Sequence, residues 1–177
     1  MSSASGPSVV LVGAPGAGKT TVGGLLASRL GVGFRDTDAD VEASTGESVA
    51  DLFVVRGEPA FRELERAAVA LALAEHDGVL ALGGGAVLDP ATRAALRTAP
   101  VVHLDVTLAD AASRVGLNRD RPLLVGNVRS RLKTLLDERR GYYDEVATVT
   151  VTTDGRTPDE VADEVLAALA LPAGGSP

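Results

Sequence analysis

Gly13-Ala14-Pro15-Gly16-Ala17-Gly18-Lys19-Thr20 fits the pattern G-x-x-x-x-G-K-[ST], a spacing suited to holding phosphate. Glycines let the backbone curl so that successive N–H groups point inward at an anion, and a helix opening there adds partial positive charge. In such a loop Lys19 reaches the outer phosphates and the Thr20 hydroxyl ligates Mg²⁺. A plain Gly-rich turn is the competing reading. The apolar run Val9–Val12 before the loop and the periodic Val22, Leu25, Leu26 and Leu30 after it give the strand–loop–helix context that favours the phosphate site. The motif establishes a nucleoside triphosphate site but not what is done with the phosphate.

Three further groups of residues bear on that question. Read as the end of a strand, Asp36-Thr37-Asp38 puts two carboxylates on one side of the backbone. One would act on Mg²⁺, and the other would accept a hydrogen bond from a hydroxyl attacking the γ-phosphate. The alternative is a helix N-cap with a solvated turn. Gly83-Gly84-Gly85 follows an apolar run and can bring bare backbone against a ligand. Arg62 and Glu65 share a helix face; taken alone they read as a surface ion pair, and Arg121 and Arg139 are undistinguished singly. Arginine forks do bind carboxylates in a two-pronged way. His76 and His103 read as structural.

The elements that must position these groups follow from periodicity and punctuation. Strands are expected at Val9–Val12, Gly33–Asp38, Val79–Leu82, Val101–Leu104 and Ala147–Thr152. Helices fall between them, with one from Pro59 to about His76 burying Phe61, Leu64, Ala68 and Leu71. Alternation of this kind calls for a parallel sheet covered on both faces. Ligands then gather at the carboxyl ends of the strands, where the phosphate loop, Asp36/Asp38, Gly83–Gly85 and Asp105 all fall. Gly23 and Gly24 weaken the first helix.

The chain has 177 residues and is 45% hydrophobic but only 3% aromatic, so one domain with a Val, Leu and Ala core is expected. The net charge of -7 argues against broad binding to nucleic acid. There are no cysteines, hence no disulfide framework, in keeping with a cytoplasmic setting. Met1–Pro7 lacks the charged-then-apolar order of a signal peptide, and no run approaches a membrane span.

Together, Gly13–Thr20, Asp36-Thr37-Asp38, Phe61-Arg62 with Glu65, Leu82–Gly85, Arg121-Pro122-Leu123-Leu124 and Arg139 with Tyr143 resemble the shikimate kinase family, within the nucleoside-monophosphate-kinase-like P-loop proteins. The resemblance runs from about Val9 to Pro158. It implies an α/β, three-layer P-loop fold with a five-stranded parallel sheet of order 2-3-1-4-5, helices on both faces and a mobile lid. Residues 1–177 would form a single kinase domain, with 8–171 as folded core, 116–127 as lid, and 1–7 and 172–177 as flexible ends. It also implies ATP-dependent phosphorylation of the 3-hydroxyl of shikimate, with Mg²⁺ as cofactor, in a monomer.

Carried over to this chain, Asp38 orients and deprotonates the hydroxyl, while Arg62 and Arg139 hold the shikimate carboxylate. Gly83, Gly84 and Gly85 line the substrate, Phe53 and Phe61 flank its ring, and Glu65 joins this set. Lys19 and Arg121 bridge the phosphates. Gly16, Ala17, Gly18, Thr20 and Thr21 complete the phosphate site, Thr20 and Asp36 serve the metal, and Arg114, Arg156 and Pro158 border the adenine. Two departures stand out: Thr20 where serine is more frequent, and Gly141-Tyr142 in place of a proline-containing step, which would loosen a helix end beside Arg139. A kinase for a nucleoside monophosphate or gluconate is the nearest alternative, and a nucleotide-binding regulator without catalysis is another. Arg121→Ala should cut turnover by roughly 10²–10³-fold while changing shikimate affinity much less, if its charge acts on the moving phosphoryl group; unchanged steady-state turnover would leave Arg121 as plain surface.

Overall fold

A computed structural model describes residues 6–116 and 128–171. Most of the expected lid, with Arg119 and Arg121, lies outside the described residues. Five strands form one sheet in the order β2-β3-β1-β4-β5. They are β1 (Val9–Val12), β2 (Phe34–Asp36), β3 (Val79–Ala81), β4 (Val101–Asp105) and β5 (Val149–Thr152), and every pairing is parallel. All four residues of central β1 are buried, which is why that strand is continuously apolar rather than alternating. The expected sheet is therefore the observed one.

The helices are α1 (Lys19–Leu30), α2 (Thr37–Thr45), α3 (Val49–Arg56), α4 (Glu58–Glu75), α5 (Pro90–Ala95), α6 (Leu108–Gly116), α7 (Val128–Val146) and α8 (Pro158–Ala168). Their ends carry the signals that stop or start helices. Ser48 accepts from Asp51 N–H, and Thr157 accepts from Glu160 N–H. Gly31 closes α1 in the left-handed region at φ 68°.

The main core lies along β1, β3 and β4 and between them and α1, α7 and α8, and it is almost wholly aliphatic. A second, smaller cluster of Val41, Leu52 and Phe61, with Phe53 and Leu64 packed on it, joins α2, α3 and α4. Fully burying one such aliphatic or aromatic side chain contributes about 1.5–3 kcal/mol.

Several sequence expectations need correction. The second strand ends at Asp36, because Asp36 accepts the Asp38 N–H at 2.8 Å and so caps α2. The two carboxylates are thus a cap and a first-turn residue, not neighbours along a strand. On α4 the buried residues are Phe61, Glu65, Val69 and Ala72, while Leu71 is 52% exposed. Gly141 does not end or loosen the helix beside Arg139; α7 runs through it to Val146.

Gly23 and Gly24 prove to be unlike. A Cβ on Gly23 would overlap the Phe34 ring, whereas one on Gly24 meets nothing within 4 Å. Gly24→Ala should therefore raise stability by about 0.5–1 kcal/mol through helix propensity alone. Gly23→Ala should lower stability despite the same propensity gain. Urea unfolding of both variants checks the pair.

Candidate functional site

Parallel pairing brings the carboxyl ends of the strands to one rim. Register places Asp36 beside Ala81 and Val12 beside His103. The phosphate loop, the start of α2 and the Gly83–Gly85 turn therefore meet there.

In the loop after β1, Gly16 and Gly18 adopt φ 83° and 92°, a region that side chains disfavour. Lys19 opens α1 and folds back over the loop: its Nζ donates to the carbonyls of Gly13 at 2.7 Å and Ala14 at 3.1 Å. Thr20 Oγ1 donates to Asp36 Oδ2 at 3.5 Å. Asp36 thus uses one oxygen as the cap of α2 and turns the other toward the loop hydroxyl.

Beside the loop lies a groove of about 240 Å³, lined by Ala17, Gly18, Thr21, Arg114, Arg156 and Pro158 among others. Arg114 Nη1 donates to the Gly16 carbonyl at 2.9 Å and to Thr153 Oγ1 at 3.3 Å. Arg156 donates to the Thr152 carbonyl at 3.0 Å and pairs with Glu164. Both arginines are therefore fixed by β5 and the segment after it.

On the other side of the loop, charged side chains close around the glycine turn. A Cβ on Gly83 would stand 2.5 Å from Asp38 Oδ1 and 2.9 Å from Glu65 Oε2. A Cβ on Gly84 would stand 3.2 Å from Pro15 of the phosphate loop and 3.4 Å from Arg139 Nη1, and one on Gly85 would overlap the Arg62 guanidinium. At Gly83 and Gly85 the turn is bare because Asp38, Glu65 and Arg62 occupy the space a side chain would need.

Arg62 donates to Glu65 Oε1 at 2.8 Å and to Glu58 Oε1 at 3.3 Å. Its guanidinium carbon lies 5.7 Å and 5.5 Å from the ring centroids of Phe53 and Phe61, which are 4.6 Å apart. The Arg62–Glu65 pair is not the surface pair its spacing alone suggests, since the Glu65 side chain is only 5% exposed. Arg139 is likewise buried, and its Nε finds no hydrogen-bond partner among the described residues. A buried donor left unmade is costly. The arrangement suits an anion arriving from outside.

Sequence reasoning missed Glu58, Pro15 and Thr37. Glu58 stands four residues before Arg62, a helical spacing that could have found it. Contact of Pro15 with Gly84 is long-range and left no local signal. His103 stacks on Tyr143 with centroids 4.9 Å apart, and burial holds its imidazole below the usual range. No group of three or more His, Cys, Asp and Glu able to hold a metal occurs among the described residues.

Burial pushes the Glu65 carboxyl up; Arg62 opposes this, nearby Asp38 adds to it, and Arg139 opposes it. A carboxyl raised in the folded state contributes stability below its unfolded value and loses it as pH climbs through the folded one. Measured against Glu65→Gln, wild-type stability should therefore fall as pH rises above the unfolded carboxyl value of about 4. Parallel stability profiles for the two proteins above that value would contradict this.

Comparisons with known proteins point to one family. The profile of the family described as shikimate kinase matches residues 15–170. The chain is 63% identical over 169 residues to a shikimate kinase of Frankia casuarinae, covering 95% of this chain and 75% of that protein. A shikimate kinase of Salinispora tropica is 61% identical over 163 residues, covering 92% and 98%. Among solved structures, shikimate kinase from Acinetobacter baumannii in complex with shikimate is similar at TM-score 0.90 and 34% identity, covering 94% of each chain. With a family profile spanning most of its length and relatives above half identity over nearly all of it, the chain belongs to the shikimate kinase family.

Proposed function

We propose that the chain transfers the γ-phosphoryl group of ATP to the 3-hydroxyl of shikimate, giving shikimate 3-phosphate for chorismate and aromatic amino-acid biosynthesis. The observation that carries this reading is the convergence of Asp38, Arg62 and buried Arg139 on a side-chain-free turn that packs against Pro15 of the phosphate loop. A nucleotide and a small carboxylate with a hydroxyl would meet across that contact.

Arg62 and Arg139 hold the shikimate carboxylate, because two guanidinium forks suit a planar anion. Phe53 and Phe61 border the ring, and Glu65 keeps Arg62 in place. Asp38 accepts a hydrogen bond from the 3-hydroxyl and takes its proton as the oxygen bonds to the γ-phosphorus. The bond from that phosphorus to the β–γ bridging oxygen breaks, and ADP leaves with its electron pair. Gly16, Ala17, Gly18, Thr20 and Thr21 direct donors at the phosphates. Lys19 exchanges the Gly13 and Ala14 carbonyls for phosphate oxygens. Arg114, Arg156 and Pro158 border the adenine in the groove beside the loop. Arg121, outside the described residues, adds charge at the transferring group.

Thr20 Oγ1 and Asp36 Oδ2 are hard oxygen donors 3.5 Å apart, a set that fits Mg²⁺, which keeps several waters and substrate oxygens as ligands. When bound, Mg²⁺ neutralises phosphate charge. Thr20 would hold it directly, and Asp36 directly or through water. Residues 1–177 act as one kinase domain and as a monomer in the cytoplasm. Among the described residues no helix is long and apolar enough to cross a membrane.

ADP release measured with shikimate, gluconate and a nucleoside monophosphate as sole acceptors tests the reading, which requires turnover with shikimate. Asp38→Asn should leave both substrates bound while kcat falls by roughly 10²-fold or more. Near-normal kcat would remove Asp38 from the mechanism. Arg62→Lys keeps charge and loses the fork, so KM for shikimate should rise well before that for ATP. Equal losses for both would sink the carboxylate assignment.

A further inference from the structure

The Gly83–Gly85 turn is tied at two points by side chains that the proposed mechanism leaves unused. At one, the Gly83 N–H donates to Thr37 Oγ1 at 3.2 Å. Thr37 is fully buried and lies between Asp36 and Asp38 at the start of α2. At the other, the Tyr143 hydroxyl donates to the Gly84 carbonyl at 2.5 Å. Tyr143 is buried, stands one helical turn beyond Arg139 on α7, and stacks on His103 of β4. Through two consecutive residues of backbone, these bonds link the helix that carries Asp38 to the helix that carries Arg139.

We infer that Thr37 and Tyr143 are positioning residues, which together fix the distance between the carboxylate that takes the hydroxyl proton and the guanidinium that holds the acceptor's carboxylate. The inference rests on the acceptor site proposed above. Asp38 belongs to α2, whose buried apolar residue Val41 packs in the small cluster with α3 and α4. Arg139 belongs to α7, which packs in the main core through Leu132, Leu136 and Tyr143. The two ends of one acceptor site thus rest on two clusters that α4 bridges, through Phe61 in one and Val69 and Ala72 in the other. At the site itself, directional hydrogen bonds to a common turn join them. Their burial strengthens them and makes either partner costly to leave unmade. Gly84 also packs on Pro15, so the same turn sets both ends in register with the phosphate loop. Misplacement by about 1 Å can cost roughly 10²-fold in rate, so modest slack in these ties is enough to be measured.

Three near-isosteric changes separate this from a merely structural role. Thr37→Val removes the acceptor, Thr37→Ser keeps it, and Tyr143→Phe keeps the ring. Each is assayed with shikimate and ATP, alongside direct nucleotide titration and the thermal midpoint. Thr37→Val should lower kcat about 10-fold or more with KM for shikimate within about 2-fold, and Thr37→Ser should return kcat to within about 3-fold of wild type. Tyr143→Phe should raise KM for shikimate roughly 5–10-fold with kcat close to wild type. Nucleotide affinity should stay unchanged in all three. Leu136→Ala, a cavity in the main core beside Tyr143, should lower the midpoint without producing either split. Wild-type constants in Thr37→Val and Tyr143→Phe overturn the inference, as does the same split in Leu136→Ala. If one variant does not fold, the Thr37 series or Tyr143→Phe alone decides it. A wild-type protein that does not turn over shikimate removes the acceptor reading and this inference with it, whereas normal wild-type turnover with unaltered variants removes only this inference.

Discussion

The acceptor side of the rim depends on a steric constraint, a turn with no side chains surrounded by charged ones. Asp38 and Glu65 occupy the space above Gly83, Arg139 approaches Gly84, and Arg62 fills the place beside Gly85. Any Cβ at Gly83 or Gly85 would displace a charge. The turn is also where three structural units touch: the phosphate loop through Pro15, the sheet through β3, and the small helical cluster through Asp38, Glu65 and Arg62. Its bareness lets chemistry from all three converge within one small volume.

Gathering charge in a buried place has an electrostatic cost, and the pairing pattern shows how it is met. Arg62 is neutralised by Glu65 and Glu58 and lies against two aromatic rings. Glu65, nearly inaccessible, is held between opposing influences, with burial raising its carboxyl and the two arginines lowering it. Arg139 keeps a buried donor that finds no partner among the described residues. In a chain with net charge -7, a buried guanidinium held in that way suits an acidic ligand far better than a general field would. Solvent-exposed pairs elsewhere, such as Lys133–Asp137, carry little energy by comparison.

The phosphate side is organised differently. There the backbone does the work, and the side chains around it are held by neighbouring backbone oxygens: Lys19 by Gly13 and Ala14, Arg114 by Gly16 and Thr153, Arg156 by Thr152. Cations parked on carbonyls are kept near their working positions. Carboxylates also hold two of them, since Arg114 lies 3.9 Å from Asp110 and Arg156 pairs with Glu164.

By itself the sequence determined whatever is local. The phosphate motif and the alternation of apolar runs with helical periods act over a few residues, so the sheet and its order were legible from them and from the family resemblance. Asp38 and the glycines could be singled out for the same reason, whereas Arg62, Glu65 and Arg139 stood out only through that resemblance. Tertiary structure decided what depends on contacts between distant segments. The N-cap made by Asp36 ended β2 early and turned the expected strand pair of carboxylates into a cap and a helical residue. Packing of α4 against the rim buried Glu65 in place of Leu71 and made an apparent surface pair an internal one. Gly23 is required because Phe34, on β2, fills the space, while Gly24 faces nothing within 4 Å, and no propensity distinguishes two adjacent glycines. Burial, orphaned donors and steric exclusion are properties of what surrounds a residue, and a linear chain specifies those surroundings only once it has folded.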